Sequence, residues 1–277
     1  MEDENKLINV EKLITRRIIQ EDAETIFSLF KTENNSIFSM GNFPYYALFI
    51  QSCQEYIRKS CFDNKTEKKI KDIRNYIKSY GDGFGKTKKR VNSIDIQQDE
   101  QFKTQLKFEF MKKWDIHLNL GTYWTPEKHI VGNTQMFADF LEIDNIFDSN
   151  AGMIQYELGK QIGSFVYYVR KELLQVAEQP SIQRCQEGIN IDWYYDLNTN
   201  NDVLFTDKST KTLNLFFLNI LCNMNFVKYV LRPLFDLDNK WILRVEYIVT
   251  YYSYSAIHRL KNYCENNDEL FVDLRRI

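Results

Sequence analysis

One uninterrupted stretch limits the fold more than any other: Asn150 to Gln179, NAGMIQYELGKQIGSFVYYVRKELLQVAEQ. Asn150 can cap the free N–H groups of a first helical turn, and Pro180 stops the hydrogen-bond ladder. Between them Ile154, Leu158, Ile162, Phe165, Val169, Leu173 and Val176 recur every three or four residues, so they share one helix face. Gly159 and Gly163, one turn apart, leave room for a second helix to come close. A chain organised around such an amphipathic helix is expected to be mainly α, a bundle-like assembly of helices.

Glycine and proline usage supports this. Ten Gly and four Pro in 277 residues supply few of the tight turns that an all-β fold needs. The one β-hairpin expected lies at about 188–206, where GINIDWYYDLNTNNDVLF alternates around Asn198–Asn201.

In chain order, Asn9 to Lys31 reads as a helix broken or capped near Asp22. Pro44 opens a second helix, Tyr45 to Cys61. Thr66 to Tyr80 is a basic helix with Ile70, Ile73 and Ile77 inward. Residues 81–98, beginning Gly81-Asp82-Gly83-Phe84-Gly85, read as a flexible loop. They would join a helical unit at 1–80 to a larger one at 99–277, with one continuous domain as the alternative. Beyond it, one helix is expected from Gln101 to about Leu118, a turn from Gly121 to Pro126 and a short helix from Gln135 to Phe147. Ser209 would cap an apolar helix, Leu213 to Met224. A short helix through Val227 and Val230 stops before Pro233, and the last helix runs from Asp238 to about Cys264.

The five cysteines are scattered, odd in number and without a C-x-x-C pair, as expected of reduced thiols in an intracellular protein. The polar start MEDENKLINVEK is unlike a secretory signal, and the most apolar run, Leu213 to Cys222, is about half a membrane span. The expected location is the cytoplasm, with no membrane partner. Heavy use of Lys, Asn and Ile suggests an AT-rich genome, hence a bacterium, phage or mobile element.

The net charge of −2 excludes nothing, but its distribution is uneven. Residues 65–90 hold ten basic side chains against Glu67, Asp72 and Asp82, hence +7; the other 26 basic and 35 acidic residues give −9. Lys68, Lys69, Lys71, Arg74, Lys78, Lys86, Lys88, Lys89 and Arg90 form the candidate site, a basic strip suited to a nucleic acid or an acidic protein surface. Tyr76, Tyr80 and Phe84 are interleaved and could stack on unpaired bases. The bland alternative is a solvated helix face.

The stretch YGDGFGKT at Tyr80–Thr87 resembles a phosphate-binding P-loop, but Tyr80 stands where the first glycine is required and a basic helix precedes it. Asp139, Glu142, Asp144 and Asp148 form an acidic cluster able in principle to bind a divalent metal. His117, His129 and His258 have no neighbouring ligand residue; His117 and His129 flank one turn and could meet as an acid–base pair. Outward Tyr251 and Tyr254 on the last helix would make a patch for a protein partner.

No catalytic residue, metal ligand or cofactor is assigned. The expected function is a non-catalytic binding or assembly protein using the basic strip, in a bacterial or phage defence or counter-defence system. The alternative is a metal-dependent nuclease or other phosphate-handling enzyme using the acidic cluster.

Overall fold

The structure is a computed structural model, and it describes residues 2–31, 36–58, 61–114, 117–141, 149–173, 191, 193–200 and 211–266. Among these the chain is mainly α, with a small antiparallel sheet. The helices are α1 (Glu2–Lys31), α2 (Ser36–Ile57), α3 (Asn64–Ser79), α4 (Phe84–Thr104), α5 (Glu109–Lys113), α6 (Thr134–Leu141), α7 (Ser149–Tyr168), α8 (Lys211–Asn225) and α9 (Lys240–Asn266). One buried apolar cluster runs through them, from Ile19 in α1 to Cys264 in α9.

The helix at the centre is α2 rather than α7. Phe38, Phe43, Tyr45, Tyr46, Ala47, Phe49, Ile50 and Cys53 are buried, and from Gly41 to Ala47 burial runs round the whole circumference. A helix apolar all round belongs inside. It starts before Pro44, which sits within it; burial of the flanking rings outweighs the missing amide. At Gly41 an added Cβ would come 2.3 Å from the Phe226 ring, so backbone and ring pack directly. By contrast α7 buries one face, Leu158, Ile162, Phe165 and Val166, and continues as a π-helical turn, Val169–Leu173. Gly159 and Gly163 face the rings of Phe43 and Phe30. The expected helix end at Pro180 lies outside the described residues.

Helix α1 is continuous. Asp22, expected to break it, is buried and paired with Arg244 of α9, so its carboxylate ties two helices instead of capping one. The segment 81–98 is not a loop. After a single 3-10 turn, Tyr80–Asp82, Gly83 (φ 111°) enters α4 directly. Its glycines permit close packing: a Cβ on Gly81 would lie 3.0 Å from the Tyr252 ring, and one on Gly85 3.4 Å from Tyr263. Phe84 is buried between them against Phe216 and Tyr263.

The helix expected from Gln101 to Leu118 is also corrected. α4 ends at Thr104 and α5 is a short turn, with Phe108, Phe110 and Trp114 exposed. The hairpin is where a turn was expected: β1 (Leu120–Trp124) and β2 (Ile130–Asn133) pair antiparallel, with a bulge between Tyr123 and Trp124. The strand β3 (Trp193–Leu197) completes the order β2-β1-β3, pairing Leu120 with Leu197 and Trp124 with Trp193. The second arm of the expected 188–206 hairpin, like Ser209, lies outside the described residues.

The helix α8 continues through a π turn, Phe226–Leu231, and a 3-10 turn, Arg232–Leu234. The span Lys211–Leu234 is 24 residues and contains an 18-residue window of mean hydropathy 1.2, long and apolar enough to cross a membrane, yet 61% of that window is buried in the fold against β2, α4 and α9. Cys53, Cys222 and Cys264 are buried free thiols and Cys61 is exposed; Cys185 lies outside the described residues.

Candidate polyanion-binding surface

Helix α3 begins at Asp63, whose carboxylate accepts from the amides of Lys65 and Thr66 at 2.9 and 3.0 Å. Ile70, Ile73, Tyr76 and Ile77 then turn inward, which forces the lysines out. Lys68 and Lys71 are exposed, and Lys69, Arg74 and Lys78 half-buried. Helix α4 buries Phe84, Thr87 and Val91, leaving Lys86 and Lys89 exposed and Lys88 half-buried. Lys68 has a surface ion pair with Asp72 at 3.8 Å, and Arg74 donates to Asn75 at 3.1 Å. Among the described residues Lys71, Lys86 and Lys89 form no ion pair.

Arg90 departs from this pattern. Its side chain turns toward α6, which packs between α3 and α4, and its Nε lies 3.0 Å from Asp139 Oδ2. Its guanidinium also covers the rings of Tyr76 and Tyr80 at 5.7 and 5.5 Å. Burial pushes the Asp139 carboxyl up to about 6, against the opposing pull of Arg90. Arg90 is therefore a structural cation. Tyr76, Tyr80 and Phe84 are core residues rather than stacking platforms: the two tyrosine hydroxyls lie 3.3 Å apart, and burial raises both phenols, Tyr80 to about 12.

Between α3, α4 and α6 lies a cleft of about 510 Å³, walled by Asp72, Asn75, Lys78, Asp82, Arg90 and Asp139. Of the nine predicted basic residues it collects Lys78 and Arg90 only; the others stand on the helix exteriors. Asp139 is the member of the acidic cluster that the structure places, and it belongs to Arg90; Glu142, Asp144 and Asp148 lie outside the described residues. Among the described residues no three His, Cys, Asp or Glu side chains converge to hold a metal ion. The P-loop resemblance finds no cradle: the amides of Lys86 and Thr87 are bonded to the Gly83 carbonyl, and the Thr87 hydroxyl lies within bonding distance of the Ser79 and Gly83 carbonyls.

The histidines have separate partners. His129 stacks on Tyr229, ring centres 3.6 Å apart, and exposed His258 stacks on Tyr254. His117 is buried with Nε2 2.8 Å from Asp99 Oδ1. Asp99 is the hub of a network that sequence reasoning missed. Its Oδ1 also accepts from Asn119 (2.8 Å) and Asn200 (3.2 Å), and Lys103 Nζ sits 2.6 Å from Oδ2. Burial would raise this carboxyl, but the bonds from Lys103, Asn119 and His117 outweigh it and hold it down at about 2. One turn earlier, Asp95 accepts from Gln135 at 2.8 Å and pairs with Lys211 at 2.6 Å. The signal was present in α4, whose inward stripe changes from Phe84 and Val91 to Asp95 and Gln98. With His117 enclosed, the network ties the sheet to α4, α6 and α8.

On α9, Tyr247, Tyr251 and Tyr254 point outward, as the sequence suggests for the last two. No protein-family model, curated protein or solved structure matches the chain.

Proposed function

We propose that the protein is a non-catalytic binding or assembly protein of the cytoplasm, whose α3–α4 exterior engages a polyanion, nucleic acid first and an acidic protein surface second. The observation that carries this reading is the outward placement of Lys68, Lys71, Lys86 and Lys89 on the two helices that wall one cleft, within a segment of charge +7. Apolar faces of α3 and α4 are anchored in the core, so the lysines are held on rigid elements. Such a surface contacts phosphates without reading bases, so salt-dependent and weakly sequence-selective binding is expected. The host is a bacterium, phage or mobile element, and the process is defence or counter-defence.

The test is binding to labelled single- and double-stranded DNA and RNA across a salt titration, with and without Mg²⁺. Lys71→Ala/Lys86→Ala/Lys89→Ala removes three exposed charges and leaves the fold intact. It should weaken binding to all sequences and, on duplex DNA, reduce the salt slope by roughly 0.9 for each phosphate no longer neutralised. Binding that the triple variant leaves unchanged, or no binding at low salt, overturns the reading. Cleavage that appears only with Mg²⁺ would instead favour a nuclease. A second reading, protein assembly through α9, is favoured by the outward Tyr247, Tyr251 and Tyr254, since tyrosine combines apolar area with a polar tip.

A further inference from the structure

Unpaired bases need open ring faces, and on α3 and α4 the rings of Tyr76, Tyr80 and Phe84 are buried. Open rings stand on α9 instead. Tyr247 (71% exposed), Tyr251 (52%) and Tyr254 (67%) recur at helical spacing with exposed His258, so the four share its outward face. They form two near-parallel pairs. Tyr247 and Tyr251 are inclined by 18° with ring centres 6.3 Å apart, and Tyr254 and His258 by 10° at 6.1 Å. We propose that this face stacks the bases of a single-stranded nucleic acid whose phosphates lie on the lysines of α4. The inference rests on the polyanion reading above and narrows it from any nucleic acid to an unpaired strand.

Position joins the two parts. The turn between α3 and α4 packs under α9: an added Cβ on Gly81 would lie 3.0 Å from the Tyr252 ring, and one on Gly85 3.4 Å from Tyr263. Lys86 follows Gly85 in the chain and Lys89 lies one turn beyond it, so exposed lysines border that contact. On the α9 side exposed Arg259 stands between Tyr252 and Tyr263 on their side of the helix. Among the described residues it forms no ion pair. Tyr251 meets Tyr252 edge to face at 5.2 Å, which carries the surface on to the outward rings. A strand crossing from α4 to α9 thus meets amines, then a guanidinium, then rings, the pairing of basic track and stacking platform that suits unpaired bases.

Charge selects the occupant. From Tyr247 to Cys264 the helix carries Arg259 and Lys261 and no acidic residue. Lys261 pairs with Glu265 at 3.9 Å, beyond that stretch, and Asp82 in the turn is outnumbered by Lys86 and Lys89. Aromatic area also suits a protein partner, but a positive face without an acid favours a polyanion. An unpaired strand adds the flat faces that open rings hold, whereas in a duplex the bases are stacked on one another.

The experiment is fluorescence anisotropy of the full chain with labelled oligo-dT and oligo-U, each alone and annealed to its complement. The single strands should bind roughly tenfold or more tightly than the duplexes. Tyr247→Ala/Tyr251→Ala/Tyr254→Ala, exposed substitutions with unchanged circular dichroism, should remove that advantage and leave duplex binding and the salt slope as they were. Tyr247→Phe/Tyr251→Phe/Tyr254→Phe keeps the rings and should keep the binding. Equal binding of single strands and duplexes, or an alanine variant that binds single strands like the natural chain, overturns the inference. If Lys71→Ala/Lys86→Ala/Lys89→Ala still weakens both forms, that failure leaves the polyanion reading standing, whereas no binding of any form at low salt removes both. An alanine variant that loses self-association in sedimentation velocity but keeps its single-strand binding would give the rings to a protein interface, and it too overturns the inference.

Discussion

The guanidinium of Arg90 and the carboxylate of Asp139 meet at 3.0 Å where α3, α4 and α6 converge, with the rings of Tyr76 and Tyr80 beneath the cation. The most basic segment of the chain thus gives up one cation to the interior. Removing it strands a buried anion, so Arg90→Ala should cost about 3–5 kcal/mol by chemical denaturation. Arg90→Met/Asp139→Leu should recover most of that loss, because neither charge then remains. A double variant as unstable as the single one would show that the pair is not the reason.

The same carboxylate sets a pH dependence. Its folded pKa, about 6, lies above the unfolded value, so between about pH 4 and 6 the folded state binds the extra proton. Stability from this group is therefore fully present below the unfolded pKa and is lost as pH rises through 6, at up to roughly 1.4 kcal/mol per unit. Asp139→Asn should flatten that part of the profile. Urea midpoints measured from pH 4 to 7 check this, and parallel profiles for the two proteins would refute it.

Asp99 runs the other way. Held at about 2, it contributes stability that is present above the unfolded carboxylate pKa and is lost as pH falls from about 4 toward 2. At neutral pH Asp99→Ala leaves His117, Asn119 and Lys103 without their shared acceptor, which should cost about 3 kcal/mol or more. Hydrogen exchange should then rise first in β1 and β3. Uniform exchange across the helices would mean that the network does not hold the sheet.

Gly41→Ala places a Cβ against the Phe226 ring and should cost about 1–3 kcal/mol through overpacking. Phe226→Leu in the same chain should relieve part of that cost. Thermal denaturation of the two single variants and the double variant gives the coupling, and strict additivity would rule out direct packing between them.

Where one helix face is apolar the sequence was legible: Ile70, Ile73 and Ile77 located α3, and Trp241, Val245 and Ala256 located α9. It was least legible where burial is complete. The first half of α2 has no stripe to read because Gly41–Ala47 is buried on every side, and β1 and β2 bury adjacent residues instead of alternating. Tyr76, Tyr80 and Phe84 continue the inward stripe of Ile73 and Ile77, so helical spacing outweighed their place among the lysines. The outward lysines of the candidate surface followed from that same stripe. Of the Asp99 network only the polar change in the α4 stripe, to Asp95 and Gln98, was local; its partners were not legible, since Asn200 reaches Asp99 across 101 residues of chain.

The central strand β1 takes one neighbour from the next few residues and the other from far downstream, the Thr122 hydroxyl donating to the Tyr195 carbonyl 73 residues away. During synthesis the β1–β2 hairpin emerges long before β3, so its open edge must wait while α6 and α7 leave the ribosome. The sheet is thus completed late, after much of the helical scaffold has formed, and the interval before β3 arrives is the stage at which a nascent chain is most exposed to strand pairing with another molecule.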